Sequence, residues 1–210
     1  MNIEQWLTLS LALILGAMSP GPSLALVIRN TISGRRANGI FTGLGHGLGF
    51  GIYAFTTSVS LSILIRYQNS IETFLRFSGT VLLLWISYTF LTTSTLATDS
   101  NSGSKSDHDS LPKSFSQGFA IAFFNPKIMV WMIAIYAPFV ESGYTLIQFL
   151  YMGILGTLID GSWYISVAAI LSKTSALNLL QTRSVLINKM IGILLALYGV
   201  GLAFNLIKYV

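Results

Sequence analysis

Ser19-Pro20-Gly21-Pro22 interrupts an apolar run that extends from Trp6 to Ile28, and Asn125-Pro126-Lys127 interrupts a second run of the same kind. Proline removes a backbone donor and clashes with the preceding helical turn, so each break frees polar backbone groups. Irregular backbone at membrane depth is tolerated only where protein or a water-filled cavity surrounds it. Matched breaks in two halves of a membrane protein therefore indicate a binding site between them.

The composition is that of a protein embedded in a membrane. Of the 210 residues, 53% are hydrophobic and only 9% are charged, and the mean hydropathy is +0.70. A soluble domain has about 25% charged residues, so this chain cannot cover a water-exposed surface of ordinary size. The net charge of +5 belongs to loops beside the membrane, so no nucleic-acid partner is expected. The absence of cysteine excludes thiolate chemistry and thiol metal sites.

The apolar runs predict an all-α polytopic membrane protein with six transmembrane helices. A polar loop, residues 92–114, divides a first three-span half, residues 1–91, from a second, residues 115–210. Each half has an odd number of spans, so the second half is inverted relative to the first, and proline breaks spans one and four. The predicted spans are Trp6–Ile28, Gly39–Ile65, Phe74–Leu91, Phe115–Ala137, Leu146–Leu171 and Ile187–Ile207.

Lysine and arginine are distributed unevenly between the two sides of the membrane. Eight lie after spans one, three and five: Arg29, Arg35, Arg36, Lys105, Lys113, Lys173, Arg183 and Lys189. The opposite side, termini included, has only Arg66, Arg76 and Lys208. Positive residues accumulate on the cytoplasmic side, which predicts cytoplasmic loops after spans one, three and five and periplasmic or extracellular termini.

The first break offers a helix terminus as well as a hinge. Pro20 and Pro22, separated by Gly21, cannot continue a regular helix, so the helix should end near Ala17 and restart after Pro22. The restarted half presents free N–H groups and a partial positive charge, which favour a carboxylate or another anion. The alternative is a proline kink that only shapes the bundle.

The second break adds a charge. Lys127 lies too deep in its span to reach either surface easily, and a lysine near the bilayer centre costs about 2.5–3.5 kcal/mol. Its candidate partner is Asp160, the only acidic residue well inside any predicted span. The alternative is a purely structural Lys127–Asp160 pair. Asn125, which precedes Pro126, offers its amide to freed backbone groups or to a ligand.

His46 is a candidate for proton coupling. Histidine has an unperturbed pKa near 6.5, so it can gain and lose a proton near neutrality, and Asp160 can serve the same purpose. A neutral histidine bonded to backbone is the alternative interpretation.

The second span of each half is rich in glycine and carries one ionisable residue followed by glycine, His46-Gly47 and Asp160-Gly161. This is weak internal similarity between the halves. Gly39, Gly43 and Gly47 recur at every fourth position, a spacing that lets helices approach closely. Glycine also alternates with larger residues from Gly43 to Gly51, which puts small residues on several faces. We therefore expect the first of these spans to be central and crowded.

Three motifs together resemble the LysE/RhtB superfamily of bacterial amino-acid exporters. They are Met18-Ser-Pro-Gly-Pro-Ser23, Gly34-Arg-Arg-Ala-Asn-Gly39 and Phe124-Asn-Pro-Lys127. The resemblance implies efflux of amino acids or related small zwitterions across the bacterial inner membrane, driven by proton motive force, and members commonly act as homodimers. It assigns six residues to the family's motif positions: Pro20, Gly21, Pro22, Asn125, Pro126 and Lys127.

Two other functions are weaker. A metal-ion exporter of the same superfamily needs several acidic, histidine or thiol ligands inside the membrane. The predicted spans contain one aspartate, Asp160, and one histidine, His46, which are too few. An intramembrane lipid-modifying enzyme needs clustered acid–base or nucleophilic groups near one interface, which the sequence lacks. We therefore expect a transporter that is not an enzyme and uses no cofactor or metal. The substrate carboxylate should face the breaks and Lys127, with Asp160 or His46 taking the ammonium group or the coupling proton.

Overall fold

The computed structural model describes residues 1–19, 21–67, 69–92, 110–170 and 174–207, and these residues form helices and no strands. The all-helical prediction is confirmed over these ranges. Pro20 and most of the predicted polar loop, residues 93–109, lie outside them. A short π-helical turn, Asn30–Gly34, separates the second and third α-helices. The α-helices are α1 (Ile3–Met18), α2 (Pro22–Arg29), α3 (Arg36–Tyr67), α4 (Asn69–Thr92), α5 (Leu111–Phe123), α6 (Pro126–Tyr136), α7 (Leu146–Ile170) and α8 (Thr174–Ile207).

The first proline break bends the chain by 60° between α1 and α2. α1 ends at Met18, one residue beyond the predicted end. Ser19 is then extended, with φ −64° and ψ 120°, and its N–H donates to the carbonyl of Gly16 at 3.1 Å. α2 begins with Pro22, because the first position of a helix needs no backbone donor.

The second break bends the chain by 58° between α5 and α6. Asn125 caps α6: its side-chain oxygen accepts a hydrogen bond from the N–H of Lys127 at 3.0 Å. Pro126 occupies the first helical position, as Pro22 does in α2. Both breaks thus end one helix and start another, each new helix beginning with proline.

Two of the described helices are individually long and apolar enough to cross a membrane, α3 over Arg36–Arg66 and α7 over Leu146–Ile170. The count reaches four if each bent pair forms one span. Within α8, the described residues Lys189–Phe204 form only a shorter apolar helix. The six-span topology therefore stays a prediction.

Apolar side chains lie on the outer surface as well as in the core, and several polar side chains are buried between the helices. On α1, Ile3, Leu7, Leu11 and Ile14 form an exposed stripe along one face. An exposed apolar stripe of this kind suits contact with lipid. Buried polar residues on the inner faces include Thr42, His46, Ser58, Ser87, Ser114 and Asp160.

The centre of the structure is the pair formed by α3 and α7. α3 packs most extensively against α7 among the described elements, and it also packs along α5. α7 in turn contacts α1 and α2, while α4 packs against α8 and α6. α3 and α7, the second spans of the two predicted halves, therefore lie against each other.

Glycines explain how closely α3 approaches its neighbours. A Cβ added to Gly47 would lie 2.6 Å from the Cα of Gly161, and one added to Gly43 would lie 2.9 Å from a backbone nitrogen of α7. A Cβ on Gly45 or Gly49 would instead meet backbone carbonyl oxygens of α5. The prediction of a central, crowded span is confirmed, and the alternation of glycines provides two close contact faces.

Several helices extend beyond the predicted spans, and α8 does so by the largest margin. α8 begins at Thr174, well before Ile187, and α5 begins at Leu111, inside the predicted loop. No glycine or proline occurs in residues 174–189, and good helix formers continue the helix past its apolar segment. The assignment of Lys113, Arg183 and Lys189 to loops was therefore wrong, because all three belong to helices.

Candidate functional site

The two breaks meet at one cavity between the helices. Its walls come from α1, α2, α3, α6 and α7 and from the residues that join α1 to α2 and α5 to α6. Pro20 lies outside the described residues, and Pro126 provides the backbone that opens α6. Six of the eight residues expected at the site line this cavity: Gly21, Pro22, His46, Asn125, Lys127 and Asp160.

The cavity is small in this structure. About 40 Å³ is open to the centres of water molecules, which corresponds to about three waters.

His46 and Asp160 form a buried pair that joins α3 to α7. The Nδ1 atom of His46 lies 2.5 Å from the Oδ2 atom of Asp160, and the two residues are 1% and 2% exposed. A hydrogen bond with an ionised partner is strong, and exclusion of water strengthens it further. Asp160 is therefore paired with His46 and not, as the sequence suggested, with Lys127.

The other ring nitrogen of His46 is available at the cavity. Nε2 is buried and has no hydrogen-bond partner among the described residues. The ring packs against Tyr164, with the ring centres 4.4 Å apart and the planes tilted by 58°. A buried polar atom without a partner costs about 1–3 kcal/mol. His46 is one of the residues that line the cavity, so its ring lies within the site.

Lys127 connects the two breaks. The residue is exposed overall, yet its Nζ atom donates a hydrogen bond to the Oγ atom of Ser19 at 2.6 Å. The same Nζ lies 4.8 Å from the ring centre of Phe90 on α4, a cation–π contact. A Cβ added to Gly21 would lie 3.5 Å from this ammonium group. Glycine thus leaves the cation close to the start of α2.

Each ionisable residue of the cavity is followed one helical turn later by an aromatic residue that also lines it. Residues four apart share a helix face, so this spacing is a local signal. The three pairs are Lys127 with Trp131, His46 with Phe50, and Asp160 with Tyr164.

Small residues complete the cavity wall. A Cβ added to Gly16 would overlap the indole of Trp131, so this glycine makes room for the ring. The indole Nε1 is buried without a hydrogen-bond partner among the described residues. Ser23 forms a side-chain hydrogen bond with the hydroxyl of Tyr164. No motif marks Gly16, whereas Ser19 and Ser23 flank the first break.

A buried amide cluster lies on one side of His46 along α3. The Nδ2 atom of Asn30 donates to Thr42 Oγ1 at 2.9 Å and to Gln117 Oε1 at 2.8 Å. The Nδ2 atom of Asn38 donates to Ser114 Oγ at 2.9 Å. These bonds tie the π-helical turn, α3 and α5 together at that end of the structure.

An arginine cluster lies on the other side of His46 along α3. Arg66 donates from Nε to the carbonyl of Ser142 at 2.8 Å and from a terminal nitrogen to the carbonyl of Tyr144 at 3.0 Å. Arg76 of α4 donates to the carbonyl of Pro138. The two arginines thus hold the connection between α6 and α7 against α3 and α4.

Comparison with known protein families agrees with this geometry. The LysE type translocator family matches residues 14–206, a range that contains both breaks and the His46–Asp160 pair. No curated protein and no solved structure matches the chain significantly. The resemblance noted from the motifs is confirmed, and the chain belongs to the LysE type translocator family.

Proposed function

We propose that this protein is a secondary active exporter of amino acids or closely related small zwitterions in the bacterial inner membrane. The observation that carries the proposal is the convergence of two helix breaks, one ammonium group and one His–Asp pair on a single cavity. Membership in a translocator family supports movement of a solute across a membrane. The resemblance further implies a homodimer.

The substrate carboxylate binds on the side of the cavity formed by the breaks. Lys127 supplies the positive charge, and the starts of α2 and α6 add partial positive charge because their first N–H groups have no helical partner. The substrate ammonium group binds on the opposite side, at the Asp160 carboxylate and the His46 Nε2 atom. The two ends of a zwitterion thus meet opposite charges.

The His46–Asp160 pair couples transport to protons. With neutral histidine the pair carries one negative charge, which matches one ammonium group. A proton taken up by the pair makes it neutral overall and removes this attraction. Proton binding and ammonium binding therefore compete at one place, which is the requirement for exchanging a proton for an amino acid.

Alternating access follows from two inverted halves of three spans each. The contacts between the predicted halves support this arrangement, because each has a counterpart when the two halves are exchanged. α3 of the first half lies along α5 of the second, and α7 of the second lies against α1 and α2 of the first. The third span of each half, α4 or α8, lies against the other. The amide cluster and the arginine cluster serve as the two gates. The predicted orientation puts the amide cluster on the cytoplasmic side and the arginine cluster, with both termini, on the periplasmic side.

The metal-ion alternative has no specific support. The described residues contain no group of three or more His, Cys, Asp and Glu side chains that could hold a metal ion. The sole carboxylate of the cavity is already paired with a histidine. Family membership is consistent with a transporter that is not an enzyme.

Everted membrane vesicles that contain the protein should accumulate labelled amino acid when a pH gradient is imposed, with the interior acidic. Accumulation should stop when a protonophore removes the gradient. Vesicles from cells without the protein provide the background. The exporter proposal would be contradicted if none of the common amino acids accumulated in a gradient-dependent way.

The variant Asp160→Asn extends this test to the coupling step. It keeps the size of the side chain and removes the charge that competes for a proton. We expect uphill accumulation to fall to background while exchange of labelled for unlabelled substrate persists at a reduced rate. Unchanged uphill accumulation would exclude Asp160 from coupling.

A further inference from the structure

The cavity contains few acidic or basic side chains. Among its described lining residues these are Lys127, His46 and Asp160. Lys127 is bonded to Ser19 in the first break. Asp160 is the only carboxylate in this lining, and it is held 2.5 Å from His46.

The rest of the described lining is uncharged: it includes the polar residues Ser19, Ser23 and Asn125 and an apolar part. Phe50 and Trp131 are buried, and Ile128 is half-buried beside Lys127. A substrate whose carboxylate lies at the breaks and whose ammonium group lies at Asp160 has its side chain against this wall. Contact between these residues and an apolar side chain of the substrate is favourable, whereas a charged side chain finds no opposite charge in this part of the wall.

Charge balance then decides which amino acids fit. Lys127 balances one carboxylate, and the Asp160–His46 pair balances one ammonium group. A second ammonium or carboxylate on the substrate has no opposite charge left in the cavity. A charge placed without a partner in a water-poor site is costly, so such a substrate is disfavoured.

We propose that the cavity selects amino acids with uncharged, mainly apolar side chains and rejects basic and acidic ones. The inference rests on the proposed export function and narrows its substrate class. The selectivity arises because the single carboxylate of the cavity is shared with His46.

Initial rates in the everted vesicles test the selectivity. Labelled leucine, lysine and glutamate are supplied at equal concentrations under the same pH gradient. We expect leucine to be carried more than about tenfold faster than lysine or glutamate, a discrimination within reach of a site that leaves a charge unpaired. Lysine or glutamate carried as fast as leucine would overturn the selectivity and leave the export function standing. Transport of none of the common amino acids would overturn both.

The variant Phe50→Glu tests the cause of the selectivity. Phe50 lies one turn beyond His46 on α3, so a glutamate there adds a second carboxylate to the cavity. We expect the ratio of lysine to leucine rates to rise by about tenfold over the matched variant Phe50→Gln, since 1.4 kcal/mol corresponds to a factor of ten. Equal ratios in the two variants, at equal amounts in the membrane, would overturn the charge-balance explanation. If Phe50→Glu does not reach the membrane, the wild-type comparison of leucine with lysine decides.

Discussion

Replacement of Lys127 by alanine is expected to reduce gradient-driven transport by about thirtyfold or more. Removing one partner of a buried, hydrogen-bonded charge pair costs about 2–5 kcal/mol, and each 1.4 kcal/mol is a factor of ten. In Lys127→Ala the substrate carboxylate loses its cation, and Ser19 loses its bond to Nζ. Initial rates in everted vesicles, normalised to the amount of protein in the membrane, give the change directly.

A matched lysine provides the control for this prediction. Lys189 is exposed on α8 and is not among the residues that line the cavity. Lys189→Ala should therefore keep wild-type rates. If Lys127→Ala transported as fast as Lys189→Ala, Lys127 would have only a structural role.

The variant Gly47→Ala is expected to lower the apparent Tm of the purified protein by about 10 °C. The new Cβ would lie 2.6 Å from the Cα of Gly161, so α3 and α7 must move apart at this close contact. Overpacking against a backbone atom costs about 3 kcal/mol, and 1 kcal/mol shifts Tm by about 2–4 °C at this chain length. Thermal unfolding followed by fluorescence in detergent measures the shift.

Gly201 provides the control for the packing prediction. It is exposed on α8, and a Cβ added there has nothing within 4 Å among the described residues. Gly201→Ala should leave Tm unchanged or raise it slightly, because alanine favours a helix more than glycine does. A Tm of Gly47→Ala equal to that of Gly201→Ala would show that the helices do not cross at Gly47.

The local features of the fold could be predicted from the sequence because their causes are local. Proline cannot continue a helix, so the ends at Met18 and Phe123 and the restarts at Pro22 and Pro126 follow from the residues themselves. The alternation of glycines from Gly43 to Gly51 likewise predicted the central position of α3. The start of α8 at Thr174 was missed, because apolar length marks the membrane-crossing part of a helix and not its end.

The pairing of Asp160 could not be derived in the same way. Sequence periodicity gives the face of a helix on which a residue lies, whereas the choice between Lys127 and His46 depends on how distant helices cross. His46 and Asp160 are 114 residues apart and meet where Gly47 and Gly161, which follow them, let α3 and α7 approach closely. The matched His-Gly and Asp-Gly pairs were noted as internal similarity, and in the structure they are contacts.

The aromatic residues of the cavity were within reach of the sequence. Trp131, Phe50 and Tyr164 each lie four residues after an ionisable site residue, and residues with this spacing share a helix face. Gly16 gave no such signal, because its role depends on the indole of Trp131 from another helix. Local spacing thus predicts neighbours along a helix, and tertiary packing decides those across helices.

Ligand-induced stabilisation of the purified protein tests most directly whether the two breaks form one binding cavity. An amino acid with an uncharged side chain, such as leucine, adds about 2.7 kcal/mol of stability when its concentration is about a hundred times its dissociation constant. The expected result is a rise of about 5–10 °C in the Tm of the wild-type protein and of Lys189→Ala, with no rise for Lys127→Ala. Equal rises in wild type and Lys127→Ala, or no rise with any amino acid, would contradict a substrate site at the breaks.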